Sequence, residues 1–600
     1  MIERPPSISA SFKPVVVLFA ALAVALSLSG KLDAARAESV ERARSLEAEE
    51  AFAEGRYADA YKVLEKAIAE CAAPSDQPDY CLQLLIMAPT YANVADDVEA
   101  SEQLARNAIA VAQSIPDGGG REYEVIARLS LSNAVFSQAR IAEAETIGRE
   151  ALARARDVFG QTHIVTASAQ NSLALVLDAQ SKHSEAEPLH RASIENTEAG
   201  LGPEAANLPT LYNGLGDNLT EQARYREAET VLSDALRLAE KINGEHHPVT
   251  SFNLGSLGNI KEMLGKFGEA EKLYQKALEI DSNALGSAHA LVGRDLNNLG
   301  TLYLNQGRLP EAEAQFRKAL TTAELSSGVS SPAVSSDLAN LANTLLFAGR
   351  AAEGEPLIRR AIEIDRKTFG DESARVAADY GVLAGNLEAQ LRLTEAEPLR
   401  RRILGMNEVI YGPNHPATAA GLVGLAANLS ARGRHDDGEP LLRQALAIEE
   451  QVTGRDSITV ARTLNALAVL ESRAGLKNEG EIFFRQALAI RKARLGERHP
   501  DTATSYNNLA AILDLQNKAR EAEASARRGL EIRNALLPPF HPDIAASKMT
   551  LARILSRRPK GLPEAFTLAR DAMHVARARR APAQADQGRT VFSAQSARAL

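Results

Sequence analysis

The sequence predicts an all-α protein, a superhelical solenoid of about 13 helix–turn–helix repeats. A motif similar to Glu-Ala-Glu (the landmark) returns every 42 residues without a change of spacing. Large apolar residues keep fixed places relative to it, and the segments between are rich in Ala, Leu, Glu and Arg with a period near 3.6 residues. The landmark begins at Glu143, Glu185, Glu227, Glu269, Glu311, Glu353, Glu395, Asp437, Glu479 and Glu521.

Each 42-residue unit is predicted to fold as two closely packed helices. Leucine stands twelve residues before every landmark, from Leu131 to Leu509, and leucine or isoleucine stands nine residues after it, from Leu152 to Leu530. A small residue follows each of the first leucines, and the second landmark residue is always Ala or Gly. Large side chains facing small ones let one helix lie over the backbone of the other.

The regularity of the repeat divides the chain into segments. Residues 1–37 are predicted to be a secretory signal peptide and residues 38–576 the solenoid. The repeats are regular from about 121 to 542, and 543–576 is predicted to be a C-terminal cap with an extra residue in its turn. Residues 577–600, rich in Ala, Arg and Gln, are predicted to be a basic, disordered tail.

The N-terminus carries the pattern of an export signal. The apolar run Val15–Ser29 follows Arg4 and Lys13, and Ala35-Arg36-Ala37 offers small residues at the positions that a signal peptidase reads. Cleavage is expected before Glu38, which places the mature protein in a periplasmic or extracellular compartment. An uncleaved membrane anchor is the alternative, although the run is short of the roughly 20 residues that a spanning helix needs.

Export would give the two cysteines a role. Cys71 and Cys81 flank the turn between the first two repeats, so they could form a disulfide in an oxidising compartment. Two buried free thiols are the alternative.

Within one unit, the stretch LNNLGTLYLNQGRLPEAEAQFRKAL resembles a tetratricopeptide repeat (TPR). Its residues at the family's spacing are Leu296, Leu299, Gly300, Tyr303, Ala312, Phe316 and Ala319. The 42-residue period resembles the long repeats of kinesin light chains and their bacterial, exported relatives. The resemblance implies an interaction scaffold that binds a peptide or partner protein along the concave groove formed by the first helices.

Six histidines share one place in the repeat, 20 residues after the start of the landmark. They are His163, His247, His289, His415, His499 and His541. This place is the turn between units, and proline follows four of them, where it can start the next helix. We therefore interpret these histidines as turn residues and predict no metal site; His183 and His190 stand alone in the pattern.

The landmark glutamates are predicted to be structural. The second glutamate is present in all ten copies and is expected in the first turn of the second helix, where the helix dipole favours an anion. In eight copies an arginine follows four residues later, as in Glu313 and Arg317, which is the favourable order for an ion pair.

Several classes of function are disfavoured. The sequence contains no GxxxxGK[ST], HExxH, CxxC or GxSxG motif, so no enzyme activity and no cofactor are predicted. A net charge of −9 and 4% aromatic residues argue against nucleic acid. From Lys548 onward, however, 11 Lys and Arg stand against 3 Asp and Glu, a net +8. We interpret this end as a solvated cap, and contact with an acidic partner or lipid headgroups is the alternative.

Asparagines mark the expected groove. In TPR relatives, matching positions line the concave face and hold a bound peptide's backbone, a task that an amide suits because it both donates and accepts. The candidates are Asn133, Asn171, Asn213, Asn259, Asn297, Asn343, Asn465 and Asn507. In the central units Gly381, Gly385, Val423 and Ala427 stand there instead, which predicts a shallow apolar seat. The alternative is an internal ladder of asparagines bonded only to neighbouring helices.

These observations predict an exported protein-binding scaffold. A structural or assembly component of the cell envelope without a peptide ligand is the alternative. The identity of the partner and the oligomeric state have no signature in the sequence.

Overall fold

The computed structural model describes residues 47–48, 51, 57–71, 78–94, 97–115, 119–138 and 140–575. The predicted signal peptide, the tail after residue 575 and the side chains of Cys71 and Cys81 lie outside this part, so export, disorder of the tail and disulfide pairing stay predictions. Throughout the described residues the regular elements are helices. None of these helices has the length and apolar character needed to span a bilayer.

The chain divides into two compact units. The N-terminal unit lies within residues 7–221 and 230–244, and the C-terminal unit comprises residues 222–229 and the chain from Glu245 onward. The helices of the N-terminal unit are α1 (Tyr57–Cys71), α2 (Pro78–Val94), α3 (Val98–Ser114), α4 (Arg121–Ser137), α5 (Ile141–Phe159), α6 (Ile164–Ala179), α7 (His183–Leu201) and α8 (Leu208–Glu221). Helix α9 (Tyr225–Asn243) contributes residues to both units.

The C-terminal unit continues the same alternation of a first and a second helix. Its first helices are α10 (Pro248–Met263), α12 (Ala290–Asn305), α14 (Pro332–Phe347), α16 (Ala374–Ala389), α18 (Pro416–Ala431), α20 (Ile458–Ala474), α22 (Pro500–Leu515) and α24 (Pro542–Ser556). Its second helices are α11 (Phe267–Leu285), α13 (Leu309–Ser327), α15 (Ala351–Phe369), α17 (Leu393–Tyr411), α19 (His435–Thr453), α21 (Lys477–Leu495) and α23 (Ala519–Leu536). A 3₁₀ turn, Pro559–Gly561, and helical residues 562–575 follow α24.

The core follows the repeat. All ten leucines that precede a landmark by twelve residues are buried, from Leu131 to Leu509. The small residue after each leucine is needed for close helix packing: a Cβ atom on Gly300 would lie 2.8 Å from the ring of Phe316 on the paired helix. The prediction that a side chain of one helix lies over the backbone of the other is confirmed.

Turns between paired helices use left-handed backbone. Five repeats place glycine there, for example Gly307 (φ 67°) and Gly349 (φ 75°), and Leu391 adopts the same conformation with φ 62°. Leu391 is 84% exposed, so no buried contact compensates for its left-handed backbone.

In the C-terminal unit, repeats six places apart also meet. Nε2 of His499 lies 3.0 Å from the carbonyl oxygen of Met263, and Nε2 of His541 lies 3.2 Å from that of Asn305. Both pairs are separated by 236 residues. Six repeats therefore complete one superhelical turn, and the start of a first helix rests on the end of a first helix in the preceding turn.

Candidate peptide-binding groove

The first helices form the inner layer of the C-terminal unit. Each packs against its own second helix, and most also contact the first helix of the next repeat, as α14 does with α16. Second helices of successive repeats do not approach one another as closely within the described residues. Because the inner layer of a curved stack is the more crowded one, the concave surface is made by the first helices.

The six repeat histidines cap helices. Nδ1 of each accepts a hydrogen bond from the backbone N–H two residues later, at 3.0–3.2 Å. In the four copies with a following proline, that proline is the first helical residue. The interpretation of these histidines as turn residues is confirmed, and in three repeats a serine, Ser331, Ser373 or Ser457, caps the helix through its hydroxyl instead.

The structure corrects the view that His183 and His190 are isolated. Both bind the carboxylate of Asp178, at 3.0 Å through Nδ1 of His183 and 2.8 Å through Nε2 of His190. Asn218 of the next repeat donates to the same carboxylate at 2.6 Å. These contacts tie α6, α7 and α8 together. The sequence pattern hid them because the partners occupy different places in the repeat.

The landmark glutamates make every predicted ion pair. All eight Glu–Arg pairs four residues apart form, as in Glu313 and Arg317 at 2.7 Å. Among the described residues, the second glutamate of the landmark also pairs in at least seven copies with a Lys or Arg 37 residues later, a contact that was not predicted from the sequence. Those pairs are Glu145–Lys182, Glu229–Lys266, Glu271–Arg308, Glu313–Arg350, Glu355–Arg392, Glu397–Arg434 and Glu481–Lys518. The signal was present, since a basic residue stands three places before most landmarks.

The candidate asparagines lie on the first helices with different exposure. Asn171 and Asn213 are buried, and Nδ2 of Asn213 donates to the carbonyl of Pro209 in its own helix at 2.8 Å. The other six are half-buried, so part of each side chain faces solvent. Their role in holding a peptide stays a prediction.

Two of these asparagines also contact the next repeat. Asn340 donates to Oδ1 of Asn297 at 2.8 Å, and Asn508 donates to Oδ1 of Asn465 at 2.8 Å. Nδ2 of Asn297 in turn donates to the carboxylate of Asp337. These contacts are of the kind expected for a ladder, and they orient amides that remain half-exposed.

The middle of the inner surface is open. A Cβ atom added at Gly381 would meet no atom within 4 Å, and one at Gly385 would meet only Leu346 at 3.6 Å. Val423 is half-buried and Ala427 is exposed. The four residues named from the sequence thus lie on two successive first helices, α16 and α18. The surface above Gly381 and Gly385 is open.

Three first helices also carry buried carboxyl groups, and sequence reasoning missed them. Asp295, Asp337 and Asp379 occupy one place in three successive first helices and are 0–6% exposed. Burial raises the pKa of Asp337 to about 7 and that of Asp379 to about 8, while burial also raises the pKa of Asp295. Three aspartates recurring every 42 residues within the first helices were the signal available in the sequence.

Comparisons with known proteins agree with this architecture. The tetratricopeptide repeat family matches residues 123–199, 207–283, 254–324, 376–451, 418–493 and 459–535. No curated protein matches the sequence closely enough to be reported as a relative.

Solved structures similar to this chain include kinesin-light-chain-like proteins. BtubC (BKLC) from P. vanneervenii is 22% identical over 39% of this chain and 91% of its own, with a TM-score of 0.32. A putative kinesin light chain with nearly identical TPR-like repeats from Podosopora anserina is 21% identical over 34% and 97%, with a TM-score of 0.30. The apo quorum sensor NprR from B. thuringiensis is 15% identical over 61% and 98%, with a TM-score of 0.42. The family match covers more than half of the sequence, and the chain belongs to the tetratricopeptide repeat family.

Proposed function

We propose that this protein is an interaction scaffold that holds an extended peptide segment of a partner protein against the first helices of its C-terminal unit. The repeat fold is typical of protein–protein interaction. The observation that carries the proposal is the open surface at Gly381, on a helix whose other side is buried. A surface with no side chain above it leaves room for a ligand's side chain.

The chemistry of the flanks suits an extended ligand. Half-exposed amides lie on one side at Asn297, Asn340 and Asn343 and on the other at Asn465 and Asn507. An amide can pair with either group of a peptide bond, whatever the ligand's side chains are. The apolar centre between them would bury a bulky ligand side chain, and the polar flanks would fix the backbone direction.

We further propose that the protein acts after export. Support comes from the sequence of residues 1–37 alone, with its apolar run and its small residues before Glu38. N-terminal sequencing of the protein recovered from cells tests this directly. A mature chain beginning at Glu38 is expected, and a chain that retains Met1 in the cytoplasm would overturn it.

Two glycine variants test the groove. Gly381 and Gly405 both lie inside helices, and a Cβ atom at either meets nothing within 4 Å, but Gly405 belongs to a second helix, α17, on the outer layer. Peptides selected from a random display library on the wild-type protein are the probe. Gly381→Trp should weaken their binding by more than about tenfold because the indole would fill the open surface at Gly381, whereas Gly405→Trp should not.

The same experiment separates the alternatives. Equal binding by both variants would place the ligand outside the groove and contradict the proposal. A wild-type protein that retains no peptide but self-associates at low concentration would favour the structural component of the envelope instead.

A further inference from the structure

Asp379 is a buried carboxylate without the partner that its counterparts have. It is 6% exposed, and its Oδ2 atom has no hydrogen-bond partner among the described residues. A buried carboxylate left in this state is unfavourable, since the free energy of desolvating it is not recovered. In the two preceding repeats the carboxyl group at the same position has a hydrogen-bond partner.

In the preceding repeat the partner is an amide. Asp337 receives a hydrogen bond from Asn297, which stands two residues beyond the equivalent aspartate of the repeat before. The residue equivalent to Asn297 in front of Asp379 is Ala339, which is half-buried. The amide that binds Asp337 therefore has no counterpart at position 339.

Two repeats before Asp379 the partner is a guanidinium. Arg294 binds Asp295 through Nη2 at 2.8 Å and Asp281 through Nη2 at 3.1 Å, so one cation serves two buried carboxylates. Asp379 also has a second carboxylate nearby, Asp365, but the residue equivalent to Arg294 is Ala378, which is exposed.

The one neighbouring arginine is already engaged. Arg375 binds Asp365 through Nε at 3.0 Å, and its Nη2 donates to Ser336 Oγ at 2.7 Å and to the Pro332 carbonyl at 2.8 Å. It is one helical turn before Asp379 and does not contact it within hydrogen-bonding distance. Asp365 and Asp379 thus carry two potential negative charges against one positive charge.

We infer that Asp379 is the seat for a cationic side chain of the bound peptide, an arginine or a lysine that enters beside Ala339 and Ala378. The incoming group would take the place that the guanidinium of Arg294 fills in its own repeat. The seat lies two residues before Gly381 in α16, and residues at this spacing point to nearly opposite sides of a helix, so the cation would bind at a place separate from the open surface at Gly381. This inference rests on the proposed peptide-binding function and adds the chemical class of the ligand.

The electrostatics of the empty seat agree with this role. Burial, together with the charge of Asp365, raises the pKa of Asp379 to about 8, while Arg375 opposes the rise. The free carboxyl therefore holds a proton at neutral pH, and a cation that binds it must displace that proton. Calorimetry in two buffers of different ionisation enthalpy should detect release of on the order of one proton per peptide at pH 7.

Two alanine-to-arginine variants provide the main test. Ala378→Arg places a guanidinium where Arg294 has one, and should raise the melting temperature and close the seat. Ala420→Arg is the matched control: Ala420 is exposed at the same place of the next repeat, but Gly421 follows it in place of an aspartate. Ala420→Arg should neither raise the melting temperature nor close the seat.

The probes are the library-selected peptides, resynthesised with citrulline for arginine or norleucine for lysine. The wild-type protein should lose roughly 10- to 100-fold in affinity for the neutral form, the range expected for a charged hydrogen bond. The Ala378→Arg variant should bind both forms equally, and Ala420→Arg should discriminate like the wild type. Selected peptides without a cation requirement would overturn the inference and leave the scaffold function standing.

A library that yields no peptide would count against the scaffold function itself. In that case the seat at Asp379 can still be tested with a small probe. N-acetylarginine amide should raise the melting temperature of the wild-type protein more than N-acetylcitrulline amide does. The difference should vanish in Ala378→Arg and persist in Ala420→Arg. Identical responses to the two amides in the wild-type protein would overturn the inference.

Discussion

His499 joins two turns of the superhelix through both nitrogens of its ring. Nε2 donates to the carbonyl oxygen of Met263 at 3.0 Å, and Nδ1 accepts from the backbone N–H of Asp501 at 3.1 Å. A carbonyl oxygen can only accept, so the ring is neutral and carries its proton on Nε2. His541 repeats the arrangement with Asn305 and Asp543. Protonation of either ring would abolish its cap contact.

The helix caps at the contact between turns should weaken in mild acid. Burial lowers the pKa of His499 and of His541 below the ordinary value of 6.5. A base whose folded-state pKa is depressed contributes stability above its unfolded pKa and loses it as pH falls from about 6.5 through the folded value. Hydrogen exchange of the amides in residues 263–267 and 499–503 should therefore speed up selectively between pH 7.5 and 5.5.

His247 provides the control for this pH effect. It caps its helix in the same way, at 3.1 Å, but it is exposed. His247→Asn should leave the pH response unchanged, while the double variant His499→Asn, His541→Asn should remove it. A response that survives in the double variant would assign it to other groups.

Gly307 marks the second point where the turns meet. A Cβ atom there would lie 2.6 Å from Cδ of Pro542, so Gly307→Ala should push the two turns apart. Gly349→Ala introduces the same left-handed backbone strain, with φ 75° against 67°, but meets nothing within 4 Å. Small-angle scattering should show expansion for Gly307→Ala alone, and equal profiles would contradict contact between the turns.

Leu391→Gly should stabilise the protein. Leucine in the left-handed region costs about 1–2 kcal/mol, and at 84% exposure its side chain recovers little by burial. We expect the free energy of unfolding to rise by about 1 kcal/mol in chemical denaturation. The reverse change, Gly349→Leu, should lower it by a similar amount. A loss of stability in Leu391→Gly would show that the leucine makes a stabilising contact.

Close packing of the helix pair can be tested at Gly300. A Cβ atom there would lie 2.8–2.9 Å from the ring of Phe316, which is fully buried, so Gly300→Ala should lower the free energy of unfolding by about 1–3 kcal/mol. Gly405→Ala, in open space within a helix, should instead raise it by up to about 1 kcal/mol. Equal effects would mean that propensity and not packing selects glycine at position 300.

Features that repeat at short range could be predicted from the sequence. The buried leucines, the histidine caps and the Glu–Arg pairs depend on contacts within one unit, where a fixed period reports the fold directly. The contact of His499 with Met263 could not be predicted, because it depends on a small rotation per repeat accumulated over six repeats. That accumulated rotation is visible only in the three-dimensional structure.

The missing hydrogen-bond partner of Asp379 could not be predicted from the sequence either. Its isolation depends on residues of other repeats, Ala339 in place of Asn297 and Ala378 in place of Arg294, and on the helix geometry that brings those positions together. The open surface at Gly381 was predicted, since a glycine on the groove face removes a side chain wherever the helix lies.

Photo-crosslinking tests the central claim, that a ligand lies along the first helices, most directly. A library-selected peptide carrying a diazirine side chain would be irradiated with the full-length mature protein and the attached residues mapped by mass spectrometry. We expect attachment on α14, α16 and α18, at residues such as Asn340, Gly385 and Val423. Attachment confined to the second helices α15, α17 and α19 would contradict the account.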